Sequence, residues 1–140
     1  MTLKNFHPKT GQILICDFDR GFIPPEMVKR RPIVVISRTE THSRRLCTVV
    51  PLSTTAPKVL APWHIALERD PLHRTKIANA VWAKCDMIYT VSFDRLELPR
   101  SNIQNHQAIL TTRISRNDLH AIFNGVRLYL PTQKVHHLAE

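Results

Sequence analysis

No apolar run in this 140-residue chain approaches the roughly 18 residues that a membrane-spanning helix requires, so none is expected. The start, Met1-Thr2-Leu3-Lys4-Asn5-Phe6-His7-Pro8, lacks the apolar core of a signal peptide, which favours a cytoplasmic protein. The three cysteines, Cys16, Cys47 and Cys85, form an odd set with no C-x-x-C spacing, each inside an apolar or strand-like stretch. A disulfide framework or cysteine metal site is therefore not expected, and packed thiols are the ordinary reading. The eight histidines include no helical i, i+4 pair, and His136-His137 fall in a polar tail, so neither a metal nor another cofactor is expected. Repeats, low-complexity tracts and glycine- or serine-rich linkers are missing too. The length suits one self-sufficient core, read as a single domain over residues 1–140. Acidic residues are also scarce: eleven Asp and Glu stand against twenty Lys and Arg, a net charge of +9. That surplus is an electrostatic footprint for a polyanion, and equally for an acidic protein; its plain alternative is a well-solvated surface. Its clustering at Lys29-Arg30-Arg31 and between Arg38 and Arg45 concentrates positive potential around one predicted strand.

What the chain does contain is a series of short apolar, β-branched runs. Gly11 opens a first strand that continues to about Phe18, ahead of a breaker-rich loop at residues 19–25. A second strand is read from about Pro32 to Ile36 and a third from about Leu46 to Leu52. Pro51 lacks a backbone donor, which suits an edge or a bulge better than a central ladder, and would splay Ser53 and Thr54 into a surface groove. Residues 63–67, 78–91 and 109–114 suggest two or three further strands and one more besides. The last element differs. Ser115 can cap a helix with Asp118 three positions on, an imperfect capping box, and Leu119, Ile122, Phe123, Val126 and Leu130 follow at helical spacing before Pro131. The fold class is therefore mainly β with a C-terminal α-helix. It is a compact antiparallel barrel or strongly curved sheet over about residues 11–114, a helix at about 115–130 and a polar tail at 131–140.

Several side chains along these elements have the chemistry to meet a phosphodiester. Arg31 opens the second strand and the hydroxyls of Ser53, Thr54 and Thr55 close the third, while Lys84-Cys85-Asp86 ends another apolar run. Each has a plain alternative. Arg31 can pair with Glu26 or Asp17. The hydroxyls can cap turns. Asp86 can be a structural carboxylate accepting backbone N–H groups. Phe22 and Ile23 in the first loop, and Tyr89, can stack unpaired bases, or serve core packing or a protein interface. His64 and His120 read as packed or surface histidines.

Taken in order, Gly11-Gln12-Ile13, Glu26, Arg31-Pro32-Ile33-Val34-Val35-Ile36-Ser37, Val50-Pro51-Leu52-Ser53-Thr54, and Lys84-Cys85-Asp86 with Thr90 and Arg95-Leu96 resemble the blocks of the PemK/MazF toxin family. The likeness spans about residues 11–130. It implies an SH3-like barrel, usually a homodimer, that cleaves single-stranded RNA without metal and is silenced by an antitoxin protein. By the same resemblance, Arg31 falls on the strand arginine that supports catalysis at the scissile phosphate, Ser53 on the catalytic threonine, and Thr54 on the hydroxyl that often follows it. Lys84-Cys85-Asp86 takes the place of an Arg-Cys-Asp tripeptide that contributes a general acid and a general base. Three positions depart from the pattern: Ser53 for threonine, and Lys84 and Tyr89 for arginines.

The chemistry stands beside the resemblance. Metal-free RNA cleavage needs the ribose 2′-OH deprotonated, the charge of the phosphorane stabilised and the leaving 5′-oxygen protonated. Asp86 suits the base and Arg31 the clamp, since its planar fork grips two phosphate oxygens and stays protonated. Lys84 suits charge stabilisation or proton donation, and Ser53 a hydrogen bond to a phosphate oxygen. Lys29, Arg30, Glu26, Thr54, Phe22 and Tyr89 complete the expected RNA-binding set. The expected partners are single-stranded RNA, an acidic, partly disordered antitoxin and a second copy of the chain. Two other readings stay open: a non-catalytic protein-binding toxin of the CcdB type, which poisons gyrase, and an inactive homologue that only binds RNA or a partner.

Overall fold

In the computed structural model, residues 7–103, 106–109 and 111–131 are described; of the polar tail read at 131–140, residues 132–140, with His136 and His137, lie outside them. Among the described residues ten strands precede one α-helix: β1 (Gln12–Asp17), β2 (Arg30–Val35), β3 (Leu46–Ser53), β4 (His64–Ala66), β5 (Trp82–Lys84), β6 (Tyr89–Ser92), β7 (Leu96–Glu97), β8 (Arg100–Ile103), β9 (His106–Ile109), β10 (Thr112–Arg113) and α1 (Arg116–Tyr129). The main sheet runs β10-β1-β2-β3-β5-β4, with β6 also on β3 and β7 also on β1, and every pairing is antiparallel; β8 and β9 form a separate hairpin. This is a mainly antiparallel β fold with a C-terminal helix. The sheet is open: among the described residues no ladder joins β4 to β10.

Both faces of the central strands are covered, which explains why β1 to β3 read as unbroken apolar runs rather than as alternating ones. Leu14, Cys16, Ile33, Val35, Cys47 and Val49 pack with Phe18, Val91, Phe93 and Leu96 on one face. Their neighbours Ile13, Val34, Val50 and Leu52 point the other way and join Ala83, Cys85 and Ile122 beneath α1. Emptying either side by a change such as Ile122→Ala costs about 2–5 kcal/mol.

Pro51 is not on an edge. It lies inside β3, a strand flanked on both sides, opposite Ile33 of β2. Ile36 N–H donates to the Thr48 carbonyl at 2.9 Å, so in this register the bonded pairs fall at even-numbered positions, and residue 51 turns its nitrogen away from β2. On that other side β6 pairs only with residues 46–49 and β5 only with 52–53. The missing donor therefore falls in the gap between two partner strands.

The helix begins as the sequence indicates, with Ser115 Oγ accepting the Asp118 N–H at 3.1 Å. Asp118 does not complete a capping box. Its buried carboxylate accepts the Glu68 N–H through both oxygens, at 3.1 and 3.2 Å, tying α1 to the segment after β4. Close approach is enforced by Gly125, where a Cβ would lie 2.9 Å from Cys85 Sγ and 3.0 Å from Ile65 Cγ1.

Candidate active site

Strand register gathers three of the sequence-selected side chains, Arg31, Ser53 and Lys84, on one face, and the turn after β5 brings Asp86 beside His64 of the same face. Ile33 pairs with Pro51, and Arg31, two residues before the one, and Ser53, two residues after the other, lie on the side-chain face that this pair shares. Ser53 pairs in turn with Trp82 of β5, and Lys84, two residues on, pairs with His64 of β4. Asp86 follows in the turn that closes on the Lys84 carbonyl through Met87 N–H at 2.9 Å, and its Oδ1 lies 3.8 Å from His64 Nε2. Leu52, Ala83 and Cys85 alternate with these residues and point into the core beneath α1. The face carrying Arg31, Ser53, Lys84 and Asp86 is thus the one turned away from the helix.

The local environments differ from residue to residue. Arg31 is half-buried, its Nε donating to the Val28 carbonyl at 3.4 Å, and among the described residues no carboxylate lies within ion-pair distance of it. Neither suggested partner is used: Asp17 sits opposite Arg30, and Glu26 Oε1 accepts the Ile23 N–H at 3.3 Å. The Arg31 guanidinium consequently keeps its charge and most of its donors uncommitted. Arg30 points to the other face, where it pairs with Glu97. Lys29 is exposed with a left-handed backbone, φ 71°, while its carbonyl accepts the Phe18 N–H at 2.9 Å, so a constrained turn feeds β2.

Ser53 is 9% exposed and its Oγ accepts the Thr55 N–H at 3.1 Å, the turn-forming role open to any hydroxyl at that place. Accepting there leaves the hydroxyl proton free to donate. Thr54, next to it, is exposed. Phe22 is packed rather than free: its ring lies 5.0 Å from Phe18 and 5.4 Å from Tyr89, with the Arg95 guanidinium 4.7 Å above it. Tyr89 sits in the same cluster, and its hydroxyl accepts the Met27 N–H at 2.8 Å, pinning the loop before β2. Ile23, at 70%, and Glu26 are among the exposed residues of that loop. Cys85, between Lys84 and Asp86, is fully buried, and burial pushes its thiol up to about 12, as it does those of Cys16 and Cys47. The sulfur is a packing atom, unavailable as a nucleophile.

Sequence reasoning reads His64 only as a packed or surface histidine, with no place in the site. Its only signal was membership of a weakly alternating run, and the register that sets it against Lys84 and Asp86 spans twenty residues. Its placement beside a carboxylate could not be read from local pattern.

A small, mainly antiparallel β domain with one terminal helix, carrying an uncommitted arginine, a hydroxyl, a lysine and a carboxylate on one face, is the class of protein that fold and site define. Residues 9–129 match the family described as PemK-like, MazF-like toxin of type II toxin-antitoxin system. The chain belongs to that family. It is 33% identical over 116 residues to a putative uncharacterized protein, YifN, of Escherichia coli strain K12, covering 69% of this chain and 76% of that one. Its fold is also that of MazF from Deinococcus radiodurans (TM-score 0.63, 14% identity, 86% of this chain and 94% of that one). It is likewise that of a mycobacterial endoribonuclease solved with its cognate antitoxin (TM-score 0.59, 17% identity, 89% and 96%). Among the described residues no helix is long and apolar enough to cross a membrane.

Proposed function

We propose that this chain is an endoribonuclease toxin that cuts single-stranded RNA at a short sequence without a metal ion, leaving a 2′,3′-cyclic phosphate and a 5′-hydroxyl. The observation that carries the reading is the face that Arg31, Ser53 and Lys84 share through the β2–β3–β5–β4 register, with Asp86 in the following turn beside His64 of that face. Asp86 takes the proton of the ribose 2′-OH. The 2′-oxygen attacks phosphorus, and the bond from phosphorus to the 5′-oxygen breaks. Lys84 delivers a proton to the departing oxygen, and Asp86 and Lys84 return to their starting states by exchange with water. Arg31 faces the developing negative charge with donors that no carboxylate among the described residues occupies. Ser53, already accepting from Thr55 N–H, donates its hydroxyl proton to a phosphate oxygen.

RNA recognition is assigned to the surroundings. Exposed Thr54 and Lys29 reach flanking phosphates, and Arg30 adds positive potential although Glu97 partly neutralises it. Phe22 and Tyr89 form an aromatic wall that shapes the 19–29 loop, with Glu26 at its turn, rather than a free stacking platform. The net charge of +9 suits an acidic antitoxin as well as RNA, and the mycobacterial endoribonuclease of this fold was solved with its cognate antitoxin. A homodimer in the cytoplasm completes the proposal.

The test is digestion of a defined single-stranded RNA in the presence of chelator, with both ends of the cut mapped. Fragments ending in 2′,3′-cyclic phosphate are expected, together with complete resistance of a substrate carrying 2′-deoxyribose at the scissile nucleotide. Cleavage of that deoxy substrate, or cleavage that chelator abolishes, refutes the mechanism.

A further inference from the structure

Asp86 has a carboxylate whose two oxygens live in different surroundings. Oδ1 is closed off from solvent and has no hydrogen-bond partner among the described residues, while the side chain as a whole keeps 32% of its surface exposed, so that exposure belongs to its other atoms. An enclosed, unpartnered carboxylate oxygen is costly, and the group facing it is His64 Nε2 at 3.8 Å. His64 is itself held. Its side chain is 12% exposed, it lies in β4 opposite Lys84, and its Nδ1 accepts the Ala61 N–H at 3.0 Å. A ring nitrogen that accepts carries no hydrogen, so the neutral imidazole has its proton on Nε2, the nitrogen aimed at Asp86.

We infer that His64 is a positioning residue for Asp86: its Nε2–H holds the enclosed Oδ1 and thereby directs the second, solvent-facing oxygen toward the ribose 2′-OH. The inference rests on the ribonuclease reading above. In the resting geometry the gap is longer than a hydrogen bond, and a movement of under about 1 Å closes it. His64 transfers no proton; it fixes the base, as the Ala61 backbone fixes the ring. Removing it leaves RNA binding intact and loosens only the reacting oxygen.

The decisive comparison uses the full chain with single-stranded RNA and chelator, measuring kcat and KM for the wild type, His64→Gln, His64→Asn, His64→Leu and Asp86→Ala. His64→Leu is expected to lose about 10- to 100-fold in kcat, the scale of a misdirected catalytic group, with KM within about twofold. His64→Gln, whose amide N–H reaches as far as Nε2, recovers at least about half of that loss on a logarithmic scale, whereas the shorter His64→Asn does not. Ring ¹⁵N shifts of the wild type should report the Nε2–H tautomer. If the wild type cuts RNA and Asp86→Ala does not, yet His64→Leu keeps wild-type kcat, the positioning role is wrong and the ribonuclease reading stands. An Nδ1–H tautomer overturns the role without reference to activity. A wild type that leaves RNA intact overturns the ribonuclease reading and this inference together. Should His64→Leu fail to fold, equal kcat in the Gln and Asn variants is the contradicting result.

Discussion

Gly125→Ala tests how α1 supports the candidate site from behind. In an open helix position this change gains about 1 kcal/mol, because alanine loses less backbone entropy than glycine. Here the new methyl would sit 2.9 Å from Cys85 Sγ, 3.3 Å from Cys85 Cβ and 3.0 Å from Ile65 Cγ1, against the about 3.5–4.0 Å at which carbon atoms pack best. Neither neighbour moves easily. Cys85 is fully buried with its thiol 3.6 Å from the Ile122 carbonyl, and Ile65 lies in β4, paired with Ala83. The helix must therefore back away by about 0.5–1 Å, an overpacking cost of about 1–3 kcal/mol. The net destabilisation is about 1 kcal/mol, which thermal melting should record as a fall in Tm of about 4 °C. Cys85 and Ile65 are the chain neighbours of Asp86 and His64, so the same displacement should reduce RNA cleavage about tenfold or more. Adding Cys85→Ala removes the closest atom and should return part of both losses, a coupling visible in a double-mutant cycle. A Gly125→Ala protein that is more stable than the wild type and cuts at the wild-type rate would refute the account of this packing.

Three further outcomes follow from the same geometry. Burial by itself would raise the Asp70 carboxyl, but the Arg74 side chain and the backbone N–H groups of Leu72 and Arg74 hydrogen-bond to it and hold it below the ordinary carboxylate value. Its stabilising effect is thus complete above the unfolded value of about 3.9 and drains away as pH falls through the lower folded value. Asp70→Asn should lower the urea-derived stability at pH 7 by about 1.5–3 kcal/mol, with the gap narrowing at pH 3, and an unchanged gap would contradict this. Cys16, Cys47 and Cys85, buried and pushed up to about 12, should resist a thiol reagent at neutral pH until denaturant is added, when all three react. Asp118→Ala removes both hydrogen bonds to the Glu68 N–H and should cost about 1–3 kcal/mol in denaturant unfolding, whereas loss of helix content alone without a stability change would contradict that tether.

How much of this was legible beforehand depends on the range of the interactions involved. The first three strands and α1 were readable because their signals are local: runs such as Ile33-Val34-Val35, and a serine cap followed by apolar residues at helical spacing. The short strands β7, β8 and β9 went unread, since two to four residues carry no period. Pro51 misled because a missing donor points to an edge only when a single partner strand lies on that side; here two partners divide β3 between them. Arg31, Ser53, Lys84 and Asp86 were chosen by chemistry and by resemblance, and their common face follows from ladders that no local pattern encodes. Phe22 looked like a loop aromatic open to a base, and its enclosure by Phe18, Tyr89 and Arg95 depends on residues four to seventy-three positions away.

The most direct measurement is the rate at which folded Arg31→Ala and Asp86→Ala proteins cut single-stranded RNA in chelator, beside the wild type. Losing the clamp should cost about 10²–10³-fold and losing the base about 10²–10⁴-fold, with far-ultraviolet circular dichroism unchanged. Wild-type cleavage by both variants would contradict the account.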